Sequence, residues 1–250
     1  MRDQDPFTFL FSNHCFSFFK LNTMCFSAGA SFSAGVVLSV IGVASMKKAP
    51  SKEKLFFAGI PFVFALQQFC EGLLWISLAE PVNEQLRSAM TYVFLIFAQV
   101  IWPFWVPYAI LKMDPKEKRR SIEKFLVGVG LIVSAYLAFC LAMYPVSAAV
   151  DGKHIAYLQD YPVSISHSCG FLYVVATIGP PFFSRIPKMW MLGLTILISY
   201  LITTIFYTAY IVSVWCFFAS VISMAVYVIV REDRRSHVLL NEVKSDHAVV

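Results

Sequence analysis

The sequence contains few charged residues, and several long stretches of it contain none. Charged side chains make up 14% of its 250 residues, against about 25% in ordinary soluble domains. Hydrophobic side chains make up 58%. A water-soluble fold of this size could not cover its surface with so few charges. The composition therefore predicts an integral membrane protein whose solvent is the lipid bilayer, and it argues against nucleic acid as a partner despite the net charge of +5.

Several motifs of known chemistry are also absent. The six cysteines form no C-x-x-C pair, which argues against a disulfide framework or a zinc ribbon. The sequence has neither a G-x-x-x-x-G-K-S/T phosphate loop nor a G-x-S-x-G nucleophile motif. No apolar stretch has the arginine spacing of a voltage sensor. None of these motifs therefore gives the chain a reaction.

What the sequence does contain is apolar runs of about the 20 residues that a bilayer requires. The chain is predicted to be all-α, a polytopic membrane helix bundle with about seven transmembrane helices. The predicted spans are 26–46, 55–79, 88–111, 124–144, 163–183, 189–207 and 210–230. Only Thr208 and Ala209 separate the last two, which are therefore predicted to form a helical hairpin.

The basic residues predict how the bundle is oriented. The predicted spans divide the loops and termini between the two sides of the membrane. The side that holds the N-terminus has only four of the 20 Lys and Arg residues, namely Arg2, Lys20, Arg87 and Lys153. The positive-inside rule places the other side, which is rich in Lys and Arg, in the cytoplasm. An odd number of spans then places the N-terminus outside and the C-terminus in the cytoplasm of a multi-pass plasma membrane protein.

Three regions follow along the chain: an N-terminal extension (1–23), a seven-span membrane domain (24–232) and a polar cytoplasmic tail (233–250). The extension is aromatic and apolar, but Asp3 and Asp5 stand where a signal peptide has basic residues. Its apolar run is also too short to span a bilayer. Two interpretations stay open: an extension upstream of a true start at Met24, or an aromatic segment at the membrane interface.

Glu71 is the one acidic residue deep within a predicted span. A charge at the bilayer centre costs at least about 2.5–3.5 kcal/mol, so Glu71 is either protonated or faces a polar cavity. Phe64, Gln67, Gln68 and Trp75 lie on the same helix face, within about 100° of arc. The arrangement predicts a ligand, proton or metal site lined by Glu71, Gln67, Gln68 and Trp75. The alternative is a hydrogen-bonded contact between helices.

His167 is the one histidine within a predicted span, and it lies near the outer end of that span. It is predicted to complete the ligand shell of Glu71. Cys25 and Cys216 also lie near outer ends of their helices. A glutamate, a histidine and cysteines suit zinc or copper, so Glu71, His167, Cys216 and Cys25 form a candidate metal set. These residues come from separate helices with no local spacing signature, and an interfacial histidine is often merely solvated.

Prolines interrupt the third predicted span. Pro103 and Pro107 predict a kink in this helix. The aromatic residues of Trp102–Tyr108 are typical of an aromatic belt at the membrane interface.

Small residues on one face of the first span predict close packing against a neighbouring helix. They are Ser27, Ser31, Gly35 and Gly42.

Two functions are compatible with these residues. The first is a small-molecule transporter or sensor with an outward-facing polar pocket, in which Glu71 binds a proton or a cationic ligand. The alternative is a membrane-embedded, metal-dependent hydrolase acting on lipid, with Glu71 as general acid and base and His167 and Cys216 as metal ligands. A purely structural membrane protein, in which Glu71 only joins helices, is a third reading.

Three motifs occur together in this chain: M-C-F-S-A at 24–28, Q-Q-x-x-E-G-x-x-W at 67–75 and S-x-W-C-F-F-A at 213–219. The set resembles a family of uncharacterised, mainly bacterial multi-span proteins that begin at the M-C-F-S-A motif. The resemblance covers about 24–232 and implies a bacterial inner membrane location. It implies no activity, and it favours a start at Met24.

Overall fold

The computed structural model describes residues 27–79, 83–113, 120–206, 214 and 218–247. Within these ranges, the side chains of 120, 163–168, 237 and 239–247 are not described. Cys25, Cys216 and the side chain of His167 therefore lie outside the described residues, as does the predicted link at Thr208 and Ala209. The N-terminal extension is outside them as well.

Helices make up most of the described chain, and their bounds follow the predicted spans. They are α1 (Ala28–Lys48), α2 (Leu55–Ala58), α3 (Ile60–Ala79), α4 (Glu84–Leu95), α5 (Trp102–Met113), α6 (Arg120–Met143), α7 (Val163–Phe183), α8 (Met189–Phe206) and α9 (Ala219–His247). A π-helical segment, Ile96–Ile101, joins α4 to α5.

Five helical stretches are long and apolar enough to cross a membrane. They are α1, Leu55–Ala79, Glu84–Met113, Ser121–Met143 and α8. A shorter apolar stretch, Cys169–Phe183, belongs to α7. The prediction of a mostly helical protein with several helices long and apolar enough to span a membrane is confirmed in this form. The count of seven spans and the outside position of the N-terminus stay predictions.

The small-residue face of α1 packs against α3, as predicted. A Cβ atom at Gly35 would lie 2.8 Å from the ring of Phe69. At Gly42 it would lie 2.8 Å from the backbone nitrogen of Phe62. Larger side chains at these positions would force the two helices apart, so the glycines allow α1 and α3 to approach closely.

The structure departs from the all-α prediction at 146–159, between the predicted spans 124–144 and 163–183. Two antiparallel strands, β1 (Val146–Asp151) and β2 (His154–Gln159), pair there from Val146 opposite Gln159 to Asp151 opposite His154. Gly152 in the connecting turn has a φ of 60°, a conformation that glycine adopts without steric cost. Neither strand alternates clearly between apolar and polar residues, so the sequence carries no strong strand signal there.

This hairpin covers one end of the bundle, which we call the hairpin end. Ile155 is fully buried against Leu74 of α3, and Trp75 packs against the same cluster. The ring of Tyr157 stacks on Phe94 of α4 with the ring centroids 4.9 Å apart. The hairpin is thus a fixed part of the fold.

The opposite end of the bundle is the tail end, from which α9 continues beyond its apolar residues. Side chains of α2, α5, α8 and α9 form a buried apolar cluster there, which includes Phe57, Ile110, Met189 and Val226. Two ion pairs attach α9 to the loops around it. Lys54 lies 2.7 Å from Asp233, and Lys188 lies 3.2 Å from Glu232.

Candidate functional site

The candidate site lies beside the π-helical segment between α4 and α5. Pro103 has no N–H to donate to the carbonyl of Gln99, so regular α-helical bonding cannot continue there. Neighbouring helices supply hydrogen bonds to the widened turn. The hydroxyl of Ser134 in α6 donates to the carbonyl of Val100 at 2.7 Å, and that of Tyr173 in α7 donates to the carbonyl of Ala98 at 2.6 Å. π-Helical turns of this kind are frequent at functional sites.

A cavity of about 330 Å³ lies beside this segment, between α3, α5, α6, α7 and α8. Its size is within the range of small-molecule binding sites. Its lining in the described part of the chain contains no Asp, Glu, Lys, Arg or His. Aromatic side chains form much of the wall: Phe64, Trp102, Tyr136, Tyr161, Tyr173 and Tyr200. The cavity is therefore uncharged and largely apolar.

Polar side chains gather on the side of the cavity nearest the hairpin. The amide nitrogen of Gln99 donates to Oε1 of Gln159 at 2.9 Å. The hydroxyl of Tyr161 donates to Oε1 of Gln99 at 3.0 Å. Burial raises the pKa of Tyr161 to about 12, so its hydroxyl stays protonated and able to donate at physiological pH. The three side chains give the cavity one hydrogen-bonding end.

Trp102 forms the wall between the cavity and α3. Its indole stacks on Phe64 with ring centroids 3.9 Å apart, and its Nε1 donates to Oε1 of Gln67 at 2.7 Å. Only 6% of the residue is exposed. The prediction that Trp102 belongs to an interfacial belt is therefore wrong, because its side chain is buried against Phe64 and Gln67 of α3.

The predicted cluster around Glu71 is buried on α3. The amide nitrogen of Gln68 donates to Oε2 of Glu71 at 3.1 Å, and both residues are 4% exposed. Gln67 is fully buried and contacts Trp102 instead. Glu71 does not line the described cavity, and Trp75 packs against the hairpin. The cluster and the cavity are therefore neighbouring features that Gln67 and Trp102 connect.

The metal prediction remains untested. Among the described residues, no group of three or more His, Cys, Asp and Glu side chains is arranged to hold a metal ion. That search leaves out Cys25, Cys216 and the side chain of His167, three of the four proposed ligands. Zinc or copper at Glu71 therefore stays a prediction from sequence.

Sequence reasoning missed three residues that the structure makes prominent. Gln99 and Tyr161 form the polar end of the cavity, although a glutamine within a proline-interrupted span was a usable signal. Glu123 is a second buried carboxyl group, only 1% exposed, in the first turn of α6. The predicted span began one residue later, at 124, and so excluded it.

These features define a class of protein: a helical bundle with helices long and apolar enough to span a membrane, and a cavity at a helix break whose described lining is uncharged. The chain belongs to DUF6629, a family of unknown function whose model matches residues 24–240. The match begins at Met24, the first residue of the M-C-F-S-A motif. No curated protein and no solved structure matches the chain.

Proposed function

We propose that this protein is a small-molecule carrier or sensor of the membrane, and that its ligand occupies the cavity beside the π-helical segment. The observation that carries the proposal is the cavity itself, which lies between helices and is lined by aromatic and aliphatic side chains with one polar end. A bundle serving only as a scaffold has no need of such a space, since cores pack closely.

The lining indicates a neutral ligand. A charged molecule would leave water without a counter-charge among the described lining residues, at a cost of several kcal/mol per ion. Apolar surface gains about 25 cal/mol for each Å² removed from water. Gln99 uses one of its two amide N–H groups on Gln159 and leaves the other for the ligand. The expected ligand is therefore apolar, with one hydrogen-bond acceptor.

Gly170 of α7 lines the cavity and is itself exposed, which gives the cavity an opening. A Cβ atom there would meet nothing within 4 Å. Gly170→Leu is therefore expected to fold and to place its side chain in the space of the ligand. We expect binding to weaken about fivefold to a hundredfold, because forced overlap with one side chain costs about 1–3 kcal/mol.

Binding can be measured on the full chain in lipid nanodiscs with phenylnaphthylamine, a neutral aromatic fluorophore. Its saturable fluorescence is taken after subtraction of empty nanodiscs. Gly128→Leu is the matched control, because a Cβ at Gly128 also meets nothing within 4 Å and the residue does not line the cavity. Equal binding by both variants, or equal binding of negatively charged anilinonaphthalene sulfonate, would contradict the proposal.

Glu71 enters the proposal as the proton- or cation-binding group of the carrier. What supports this role is a carboxyl group that is 4% exposed, bonded to Gln68 and linked through Gln67 and Trp102 to the cavity wall. Glu71→Gln keeps the side-chain volume and removes the charge. It is expected to abolish the pH-dependent uptake of the ligand by the carrier. Glu123→Gln, at a second buried carboxyl group, is the matched control. Uptake that keeps its pH dependence in Glu71→Gln counts against the role.

A further inference from the structure

A second recess, separate from the cavity, lies at the tail end between the last residue of α1 and the polar part of α9. Its lining in the described chain combines four cations with one acid. The cations are Lys48, Arg231, Arg234 and Arg235, and the acid is Glu232. We call this recess the basic groove.

The arrangement of ion pairs leaves the groove with an excess of positive charge. Glu232 pairs with Lys188 at 3.2 Å, and Asp233 pairs with Lys54 at 2.7 Å. Both acids of this part of α9 are therefore neutralised by lysines outside the groove. Among the described residues, the arginines of the groove take part in no ion pair.

The three arginines share one helix face. Arg231, Arg234 and Arg235 stand at positions i, i+3 and i+4, and Val238 follows at i+7 on the same face. All four are exposed and line the groove. Lys48 closes the other side, where its Nζ lies 5.6 Å from the centroid of the Tyr227 ring on α9. One face of α9 thus presents its cations toward a single recess.

The groove also lies where the surrounding helices change from apolar to basic. α1 is apolar enough to span a membrane and ends at Lys47 and Lys48. The continuous apolar run of α9 ends at Val230, directly before Arg231. Lipid phosphates lie at this level in a bilayer, and clustered Lys and Arg beside a spanning helix attract anionic headgroups.

We propose that the basic groove binds the phosphate-bearing headgroup of an anionic bilayer lipid. The arginines supply hydrogen bonds and charge to the phosphate oxygens, and Lys48 adds a fourth cation from the other side of the groove. The site is independent of the cavity, and it adds a lipid partner to the protein.

The test uses the purified full chain in a neutral detergent and phosphatidylglycerol as the probe, with bound lipid counted by native mass spectrometry. Substituting Arg234→Gln and Arg235→Gln together is expected to weaken phosphatidylglycerol binding about thirtyfold, at about fivefold for each charge. The control replaces two cations at the other end, Arg87→Gln and Lys153→Gln, and is expected to bind as the unsubstituted chain does. Of these, Lys153 is exposed, and Arg87 is half-buried and pairs with Glu84.

Each outcome decides the proposal. It holds if the groove variant alone loses phosphatidylglycerol, if zwitterionic phosphatidylcholine binds all three proteins weakly, and if the thermal midpoint without lipid is the same in all three. Equal losses in the groove and control variants would overturn it, because attraction would then be nonspecific. Displacement of the lipid by an equal concentration of inorganic phosphate would also overturn it, because the groove would then be a site for free anions.

Discussion

Replacing Gly130 by alanine is expected to destabilise the bundle by about 1–3 kcal/mol or more, which is the usual cost of overpacking. A Cβ atom at this position would overlap the carbonyl oxygen of Pro103 and would lie 2.9 Å from its carbonyl carbon. Both atoms belong to the backbone, so no side-chain rotation relieves the overlap. α5 and α6 would have to separate.

The backbone around Pro103 cannot easily move away. The carbonyl of Pro103 receives no helical hydrogen bond, because the residue four positions on is Pro107, which has no N–H. Gly130 occupies the space beside this carbonyl. The preceding turn is fixed to α6 by the hydrogen bond from Ser134 to Val100. The overlap therefore falls on a segment that its neighbours hold in place.

Gly128→Ala provides the control for this experiment, since a Cβ there meets nothing within 4 Å. In both variants alanine gains up to about 1 kcal/mol of helix propensity over glycine. The difference in stability between the two variants therefore measures the steric overlap at Gly130 alone. The measurement is the thermal midpoint of the purified protein in detergent. Similar midpoints for the two variants would show that α5 and α6 do not approach each other as the structure has them.

Trp102→Ala is expected to have the largest effect of any substitution in the cavity wall, about 3–5 kcal/mol of lost stability. The residue is 6% exposed, stacks on Phe64 and hydrogen-bonds Gln67. Its removal leaves a void and also opens the wall between the cavity and α3. We therefore expect both a lower thermal midpoint and weaker, less selective binding of phenylnaphthylamine.

Two further variants separate the causes. Trp102→Phe keeps most of the ring contact with Phe64 and removes the hydrogen-bond donor to Gln67. The lost hydrogen bond is expected to lower the stability by about 0.5–1.5 kcal/mol, in addition to the loss that comes from burying a smaller ring. Trp190→Ala removes a tryptophan that is 58% exposed, and it should leave both the midpoint and probe binding nearly unchanged. A Trp102→Ala protein that resembles Trp190→Ala would refute the role of Trp102 as a buried wall.

The helical part of the fold could be predicted because long apolar runs dominate the sequence. The bounds of α1, α3, α6 and α8 lie within a few residues of the predicted spans. The packing face of α1 was also readable, because Gly35 and Gly42 recur at helical spacing and small residues allow close approach. Glu71 could be singled out as a candidate site residue because an acid within an apolar run is costly and rare, and its place in a ligand pocket stays a prediction.

The cavity could not be predicted, because it depends on how five helices are placed around one another. Gln99, Gln159 and Tyr161 come from the π-helical segment, the end of β2 and the residues before α7, and only the fold brings them together. The hairpin was missed because its two strands are only six residues long. Burial of Glu123 depends on where α6 begins, which sequence reasoning leaves uncertain by several residues.

The π-helical segment has a consequence for how the third helical stretch is read. A turn that hydrogen-bonds five residues back holds about one residue more than an α-helical turn, and each residue of a helix advances its side chain by about 100°. The buried face of α5 is therefore rotated relative to that of α4. A hydrophobic face fitted across all of Glu84–Met113 at a constant angle per residue averages these two faces.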